Sequence, residues 1–129
     1  MANVLVLDDS KELLQMLKTI FQLHNYEVRT ALTKSSLMAH IDIFKPDIIL
    51  MDVLLNGSNG REICKELKAS DDTKNIPVIL LSGSHEQLRN FNECNADDII
   101  EKPFEFEDVE RKIKATLDKK RTGKLARTI

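Results

Sequence analysis

Residues 46–52 read PDIILMD, with the aliphatic side chains of Ile48, Ile49, Leu50 and Met51 running unbroken up to the carboxylate of Asp52. A half-exposed strand alternates apolar and polar residues, so a continuous run marks a strand buried on both faces, as in a parallel sheet covered by helices. Two more runs of this kind flank it. Val4 to Leu7 ends at Asp8 and Asp9, and Val78 to Leu81 ends at Ser82. Shorter β-branched or aliphatic runs at Val28 to Ala31 and Asp98 to Glu101 bring the expected strands to five, the last followed by Lys102 and Pro103.

Helical spacing fills the intervals. Ser10 to His24 carries Leu13, Leu14, Leu17, Ile20 and Phe21; Ser35 to Phe44 carries Leu37, Met38, Ile41 and Phe44; Gly60 to Ala69 carries Ile63, Cys64 and Leu67. Glu86 to Cys94 is a shorter segment anchored by Leu88 and Phe91, and Phe106 to Lys120 carries Val109, Ile113 and Leu117. Each pattern suits an amphipathic helix on a sheet. Strict alternation of strand and helix predicts an open parallel α/β sheet with right-handed crossovers, a doubly wound (βα)5 sandwich. Ligand chemistry in such folds gathers outside the carboxyl ends of the strands.

A chain of 129 residues with 42% apolar and 31% charged residues is long enough for one packed domain and too apolar for a disordered segment. The net charge of −2 is scattered, which gives no concentrated basic face for nucleic acid. Only Lys119, Lys120, Arg121, Lys124 and Arg127 cluster, so residues 1–119 are expected to form the domain and 120–129 a basic tail or the start of a linker. No apolar run reaches the roughly 20 residues of a membrane span, and no secretory leader pattern precedes the first strand, so a cytoplasmic location is expected. Cys64 and Cys94 lack C-x-x-C spacing and read as buried small hydrophobes; His24, His40 and His85 lack metal-ligand spacing.

Asp8, Asp9 and Asp52 all fall at strand ends on one sheet edge. Close carboxylates repel, so such a cluster is costly unless a cation neutralises it, and oxygen-only ligands suit magnesium, with manganese as an alternative. Ser82 and Lys102 end the fourth and fifth strands at the same edge. A cation, a hydroxyl and an ammonium are what an incoming phosphoryl group requires, with Asp52 as the nucleophile. Helix capping is the plain alternative for Asp8, Asp9 and Ser10, but capping explains neither Asp52 nor Lys102.

The segments VLVLDD (4–9), ILMD (49–52), LLSG (80–83) and EKPF (101–104), in this order at successive strand ends, resemble the response-regulator receiver family over residues 3 to about 119. The resemblance implies a flavodoxin-like sheet in the order 2-1-3-4-5. It implies phosphorylation of Asp52 from a sensor histidine kinase or phosphotransfer protein, in a Mg2+-dependent reaction that switches binding of a downstream protein target. It also implies that Asp8, Asp9, Asp52 and the backbone carbonyl of Leu54 hold the metal, that Ser82 bonds the phosphoryl oxygen, and that Lys102, before a cis Pro103, pairs with the carboxylate. A homodimer formed on phosphorylation is left open. The chain is expected to be a phosphoacceptor signalling domain that assists its own phosphorylation and dephosphorylation, not an enzyme, with no output domain after the last helix.

Three departures matter. Ile99 stands where many members carry an aromatic toggle three residues before the lysine, so the relay to the face of the fourth helix, fifth strand and fifth helix must use other packing; Ile99, Glu101 and Phe106 are expected near that face. The loop Asn56-Gly57-Ser58-Asn59-Gly60 replaces a common Pro and acid, and its glycines suggest mobility. Leu54 places an apolar side chain where water would approach, which suggests a long-lived phosphoryl group. Two other functions compete. A phosphorylation-independent interaction module would keep the fold without using the acid set; a metal-dependent aspartyl phosphohydrolase would need an Asp-x-Asp pair, where this chain has Leu54.

Overall fold

The computed structural model describes residues 2–128, with side chains as far as residue 122. Five strands, β1 (Asn3–Leu7), β2 (Glu27–Ala31), β3 (Ile48–Asp52), β6 (Val78–Ser82) and β7 (Asp98–Glu101), form one parallel sheet in the order β2-β1-β3-β6-β7. Counting only this sheet, that is the expected 2-1-3-4-5. The numbering skips because Leu54–Leu55 (β4) and Ser58–Asn59 (β5) pair antiparallel in a small hairpin after β3.

The three continuous apolar runs are the three central strands, and β3 and β6 are buried at every residue. Along each, successive side chains serve opposite cores. Leu5, Leu7, Ile49, Met51, Val78 and Leu80 pack with Leu37, Ile41, Ile63, Cys64 and Leu67. Val4, Val6, Ile48, Leu50, Ile79 and Leu81 pack with Leu14, Leu17, Phe21, Val109 and Ile113. The period of two is therefore present; it is hidden in the sequence because both faces are apolar. Each large buried side chain adds about 2 kcal/mol relative to exposure, enough to make this bilayer the main source of stability.

Helices follow their caps. Ser10 accepts from the Leu13 N–H at the start of α1 (Lys11–Leu23), and Thr33 accepts from Ser36 at the start of α2 (Lys34–Phe44), which stops at a left-handed Lys45 before Pro46. Asn59 caps α3 (Gly60–Ala69) by accepting from Arg61. Both cysteines are buried and unpaired, as free hydrophobes should be.

Two elements differ from the sequence reading. The segment expected as a helix over 86–94 is a single turn, α4 (His85–Leu88), followed by a separate 3-10 turn at Phe91–Cys94. The last helix, α5, runs Phe106–Thr128 and so carries most of the 120–129 stretch as helical backbone; the side chains of Lys124 and Arg127 lie outside the described residues. Phe106 also departs from expectation. Its ring meets Phe21 at 5.1 Å and His24 at 4.6 Å, on the α1 side of the sheet. No helix among the described residues is long and apolar enough to cross a membrane.

Tyr26 closes this aromatic corner, 5.4 Å edge-to-face from Phe21, and its hydroxyl donates to Glu110 Oε2 at 3.1 Å. Burial, then the hydrogen bond and charge of Glu110, pushes its pKa from 10.0 up to about 12. A phenol favoured neutral in the folded state stabilises the fold below its unfolded pKa, and that contribution is lost as pH rises through the window from 10 to 12. Tyr26 is the only tyrosine and there is no tryptophan. Its phenolate absorbance is therefore expected to titrate with a midpoint near 12, and Glu110→Gln to bring that midpoint down; a wild-type midpoint near 10 would show the corner to be solvated.

Candidate phosphoacceptor and metal site

Parallel pairing brings four strand ends to one edge. Asp8 directly follows β1 and its N–H donates to the Ala31 carbonyl at 3.2 Å; Asp52 is the last residue of β3, and the next N–H, of Val53, donates to Leu81 at 3.0 Å. Ser82 ends β6, and its carbonyl accepts from the Lys102 N–H at 2.8 Å, which fixes the start of the β7–α5 loop against β6. The Lys102–Pro103 peptide is cis, as expected.

At this edge Asp8, Asp9 and Asp52 offer carboxylate oxygens that all lie within 4.8 Å of one another. Asp8 is fully buried, Asp52 nearly so at 6% exposure, and Asp9 faces solvent. Lys102 reaches in with its Nζ 2.8 Å from Asp8 Oδ2 and 3.4 Å from Asp52 Oδ2. The second Asp8 oxygen accepts from the Ser10 N–H at 2.9 Å, so this carboxylate is held on both sides. Asp8 thus touches the helix entry, but its main partner is the lysine.

Three carboxylates face one ammonium, and the imbalance is written into Asp52. Burial first, and then the charge of Asp8, raise its pKa above the ordinary aspartate value, against the lowering influence of Lys102. Burial disfavours charge on Lys102 itself, yet the hydrogen bond and charge of Asp8 and the charge of Asp52 outweigh it, and its pKa is raised. The donor set is oxygen only, with no histidine or cysteine, and retains unneutralised negative charge. That chemistry fits a hard divalent cation.

Ser82 is 1% exposed, and its Oγ accepts from the Ser84 N–H at 3.0 Å. Ser84 in turn caps α4. Leu54, the first residue of the hairpin, leaves its side chain 53% exposed beside the site. Phe104 is half-buried and packs against the core layer of Phe21, Val109 and Ile113.

The residue sequence reasoning missed is Gly60. Its N–H donates to the Val53 carbonyl at 2.7 Å, and a Cβ built on it would meet the Asp52 carbonyl oxygen at 2.1 Å. Gly60 is therefore a point of close backbone approach, and the loop it ends folds as a short paired hairpin. Asn56-Gly57 supplied the signal for that hairpin, since this dipeptide favours two-residue turns and Gly57 is left-handed at φ 72°.

Residues 4–114 match the family described as response regulator receiver domain. The chain is 34% identical over 94% of its length to the phosphate regulon transcriptional regulatory protein PhoB of Pseudomonas aeruginosa, and 31% identical over 96% to the nisin biosynthesis regulatory protein NisR of Lactococcus lactis. It spans about half the length of each, 53% and 54%. Among solved structures, the chemotaxis protein CheY4 of Vibrio cholerae superposes with a TM-score of 0.82 at 28% identity, covering 90% of this chain and 98% of that one.

Proposed function

Because the chain belongs to the family of response regulator receiver domains, we infer that its acid cluster is a phosphoacceptor site in which Asp52 takes up the phosphoryl group. The observation that carries this reading is the convergence of Asp8, Asp9, Asp52 and Lys102 on one sheet edge, with Asp52 nearly buried and its carboxylate only loosely held by the lysine at 3.4 Å.

Asp8, Asp9 and Asp52, with the backbone carbonyl of Leu54, would hold Mg2+. When bound, the ion neutralises carboxylate charge that would otherwise repel an anionic donor. The donor is a phosphohistidine of a sensor kinase or phosphotransfer protein. Asp52 Oδ forms the new bond to phosphorus as the bond from phosphorus to the donor imidazole nitrogen breaks, and the imidazole takes up a proton. Lys102 pairs more closely with Asp8 than with Asp52, so its ammonium can turn to a phosphoryl oxygen while keeping one carboxylate. The Ser82 hydroxyl donates to another. The phosphorylated state then favours one of two conformations, and a protein partner reads the difference. In this reading the chain is a signalling switch and not a turnover enzyme.

Incubation with magnesium and a small acyl phosphate, followed by intact mass, tests the reading. A magnesium-dependent adduct on the wild type and none on Asp52→Ala is expected; no adduct on folded wild-type protein would favour a phosphorylation-independent interaction module. In the same assay the exposed Leu54 side chain should exclude water, so that Leu54→Asn shortens the adduct's lifetime several-fold. An unchanged lifetime removes Leu54 from that role.

A further inference from the structure

The connection from β6 to β7 carries helical spacing through Cys94, yet the structure breaks it. α4 ends at Leu88, Arg89 is extended (φ −63°, ψ 143°), Asn90 is left-handed (φ 54°, ψ 37°), and only then does the 3-10 turn begin. Such a break strands the carbonyls of Gln87 and Arg89, whereas the Asn90 carbonyl also accepts from the Glu93 N–H at 3.0 Å. One side chain collects them. The Arg61 guanidinium, near the start of α3, donates to the carbonyls of Gln87 at 2.8 Å, Arg89 at 2.7 Å and Asn90 at 3.2 Å, with Glu93 at 3.7 Å. A planar fork of donors suits this task, and an ammonium would not replace it.

The same three carbonyls have a second solution. In a continuous α-helix they would accept from the N–H groups of Phe91, Glu93 and Cys94, four residues on. Leu88 and Phe91 both pack on the core layer of α3 and stand three residues apart, so a continuous helix would keep both on one face. The segment therefore has two hydrogen-bonding arrangements, and only the broken one uses Arg61.

Arg61 is also tied to the acid site through its neighbour. Gly60 is bonded to Val53 and abuts the Asp52 carbonyl with no room for a methyl group, so a displacement of the Asp52 backbone is passed to the start of α3 without slack. Ile99, three residues before Lys102, packs against the core layer of α3 and offers no ring to relay the change.

We propose that Arg61 is a latch that holds the β6–β7 connection broken in the unphosphorylated protein, and that phosphorylation releases it to a continuous helix across Arg89 and Asn90. The second half of this statement rests on the phosphoacceptor reading of Asp52. Arg61 acts as a positioning residue: it sets the shape of a surface and takes no part in phosphoryl transfer.

The test uses the full chain, with Arg61→Gln and Arg61→Lys variants. Backbone chemical shifts of Arg89 and Asn90 are recorded with and without magnesium and beryllofluoride, while bound fluoride is followed separately by its own resonance. In the wild type, Arg89 and Asn90 should report extended and left-handed backbone without the adduct, and helical backbone with it. Arg61→Gln should be helical there without any adduct, a shift of at least about tenfold in the ratio of the two forms for the loss of hydrogen bonds to a charged donor. Arg61→Lys, which keeps the charge and loses the fork, should shift the same way and stands in if the Gln variant fails to fold. Wild-type shifts retained in the folded variants would overturn the latch. An adduct that forms and leaves Arg89 and Asn90 unmoved would overturn its release. Absence of bound fluoride on the wild type would instead count against the phosphoacceptor reading, with the variant comparison still deciding the latch.

Discussion

Gly60→Ala is expected to lower stability by about 3 kcal/mol, whereas Gly83→Ala should leave it within about 0.5 kcal/mol. Gly60 opens α3, and at an ordinary helical position alanine is preferred over glycine by up to about 1 kcal/mol. The sign should reverse here because the new methyl would sit 2.1 Å from the Asp52 carbonyl oxygen and 2.9 Å from its carbon, both backbone atoms. Flexible side chains can swing away from such a clash; a backbone paired with Leu81 in the sheet and tied through Val53 to both Leu81 and Gly60 cannot. Gly83 has nothing within 4 Å of its Cβ position. Urea unfolding midpoints of the two variants decide the matter. A Gly60→Ala variant as stable as wild type would mean that the end of β3 yields easily, and the close coupling of Asp52 to α3 would have to be abandoned.

Lys102→Met is expected to cost about 2 kcal/mol at neutral pH, less than the 3–5 typical of a broken buried pair because the lysine is 25% exposed. Methionine keeps the apolar stem and removes only the charge. The sign of the pH dependence follows from Asp52, whose folded pKa is already raised by burial and by Asp8 while Lys102 pulls it down. Without the lysine it rises further. A carboxyl with a raised folded pKa binds its proton more tightly in the folded than in the unfolded state, so its stabilising contribution is present below the unfolded aspartate pKa and is lost as pH rises through the folded one. The deficit of Lys102→Met should therefore be largest at neutral pH and shrink on acidification towards about pH 4. Lys114, 65% exposed and 3.8 Å from Glu110, provides the contrast: Lys114→Met should change little at any pH. A pH-independent deficit would assign the effect of Lys102 to lost packing instead.

The frame of the molecule was legible because its strongest signal is one that burial leaves unmistakable. Ile48 to Met51, Val4 to Leu7 and Val78 to Leu81 become the central strands, and their order places Asp8, Asp9 and Asp52 together before any side chain is built. Lys102 also arrives where its position after the last strand puts it. What stayed hidden depends on contacts between distant residues. The spacing of Leu88 and Phe91 favours a helix, and nothing local says that Arg61, 26 residues before Gln87, will supply the hydrogen bonds of a broken one. Gly60 is eight residues from Asp52 in sequence and in contact with it in space, which a linear reading registers only as a flexible residue. The hairpin at residues 54–59 pairs two residues with two, too short to display an alternation. Phe106 joins the layer that holds Ile100, Phe21 and Val109, and its contacts with Phe21 and His24 link the start of α5 to α1, a pairing of residues more than 80 positions apart.

That hairpin is closed at its neck by the 2.7 Å bond from the Gly60 N–H to the Val53 carbonyl, and its tip, Asn56 and Gly57, stands in solvent. The neck fixes where β3 ends and α3 begins whatever lies between them. Doubling the length of a loop so closed costs only about 0.6 kcal/mol in chain entropy. The tip is therefore the place on this molecule where the chain can be lengthened, with a peptide tag, a protease site or a whole inserted module, while the register of the sheet beneath it stays as it is.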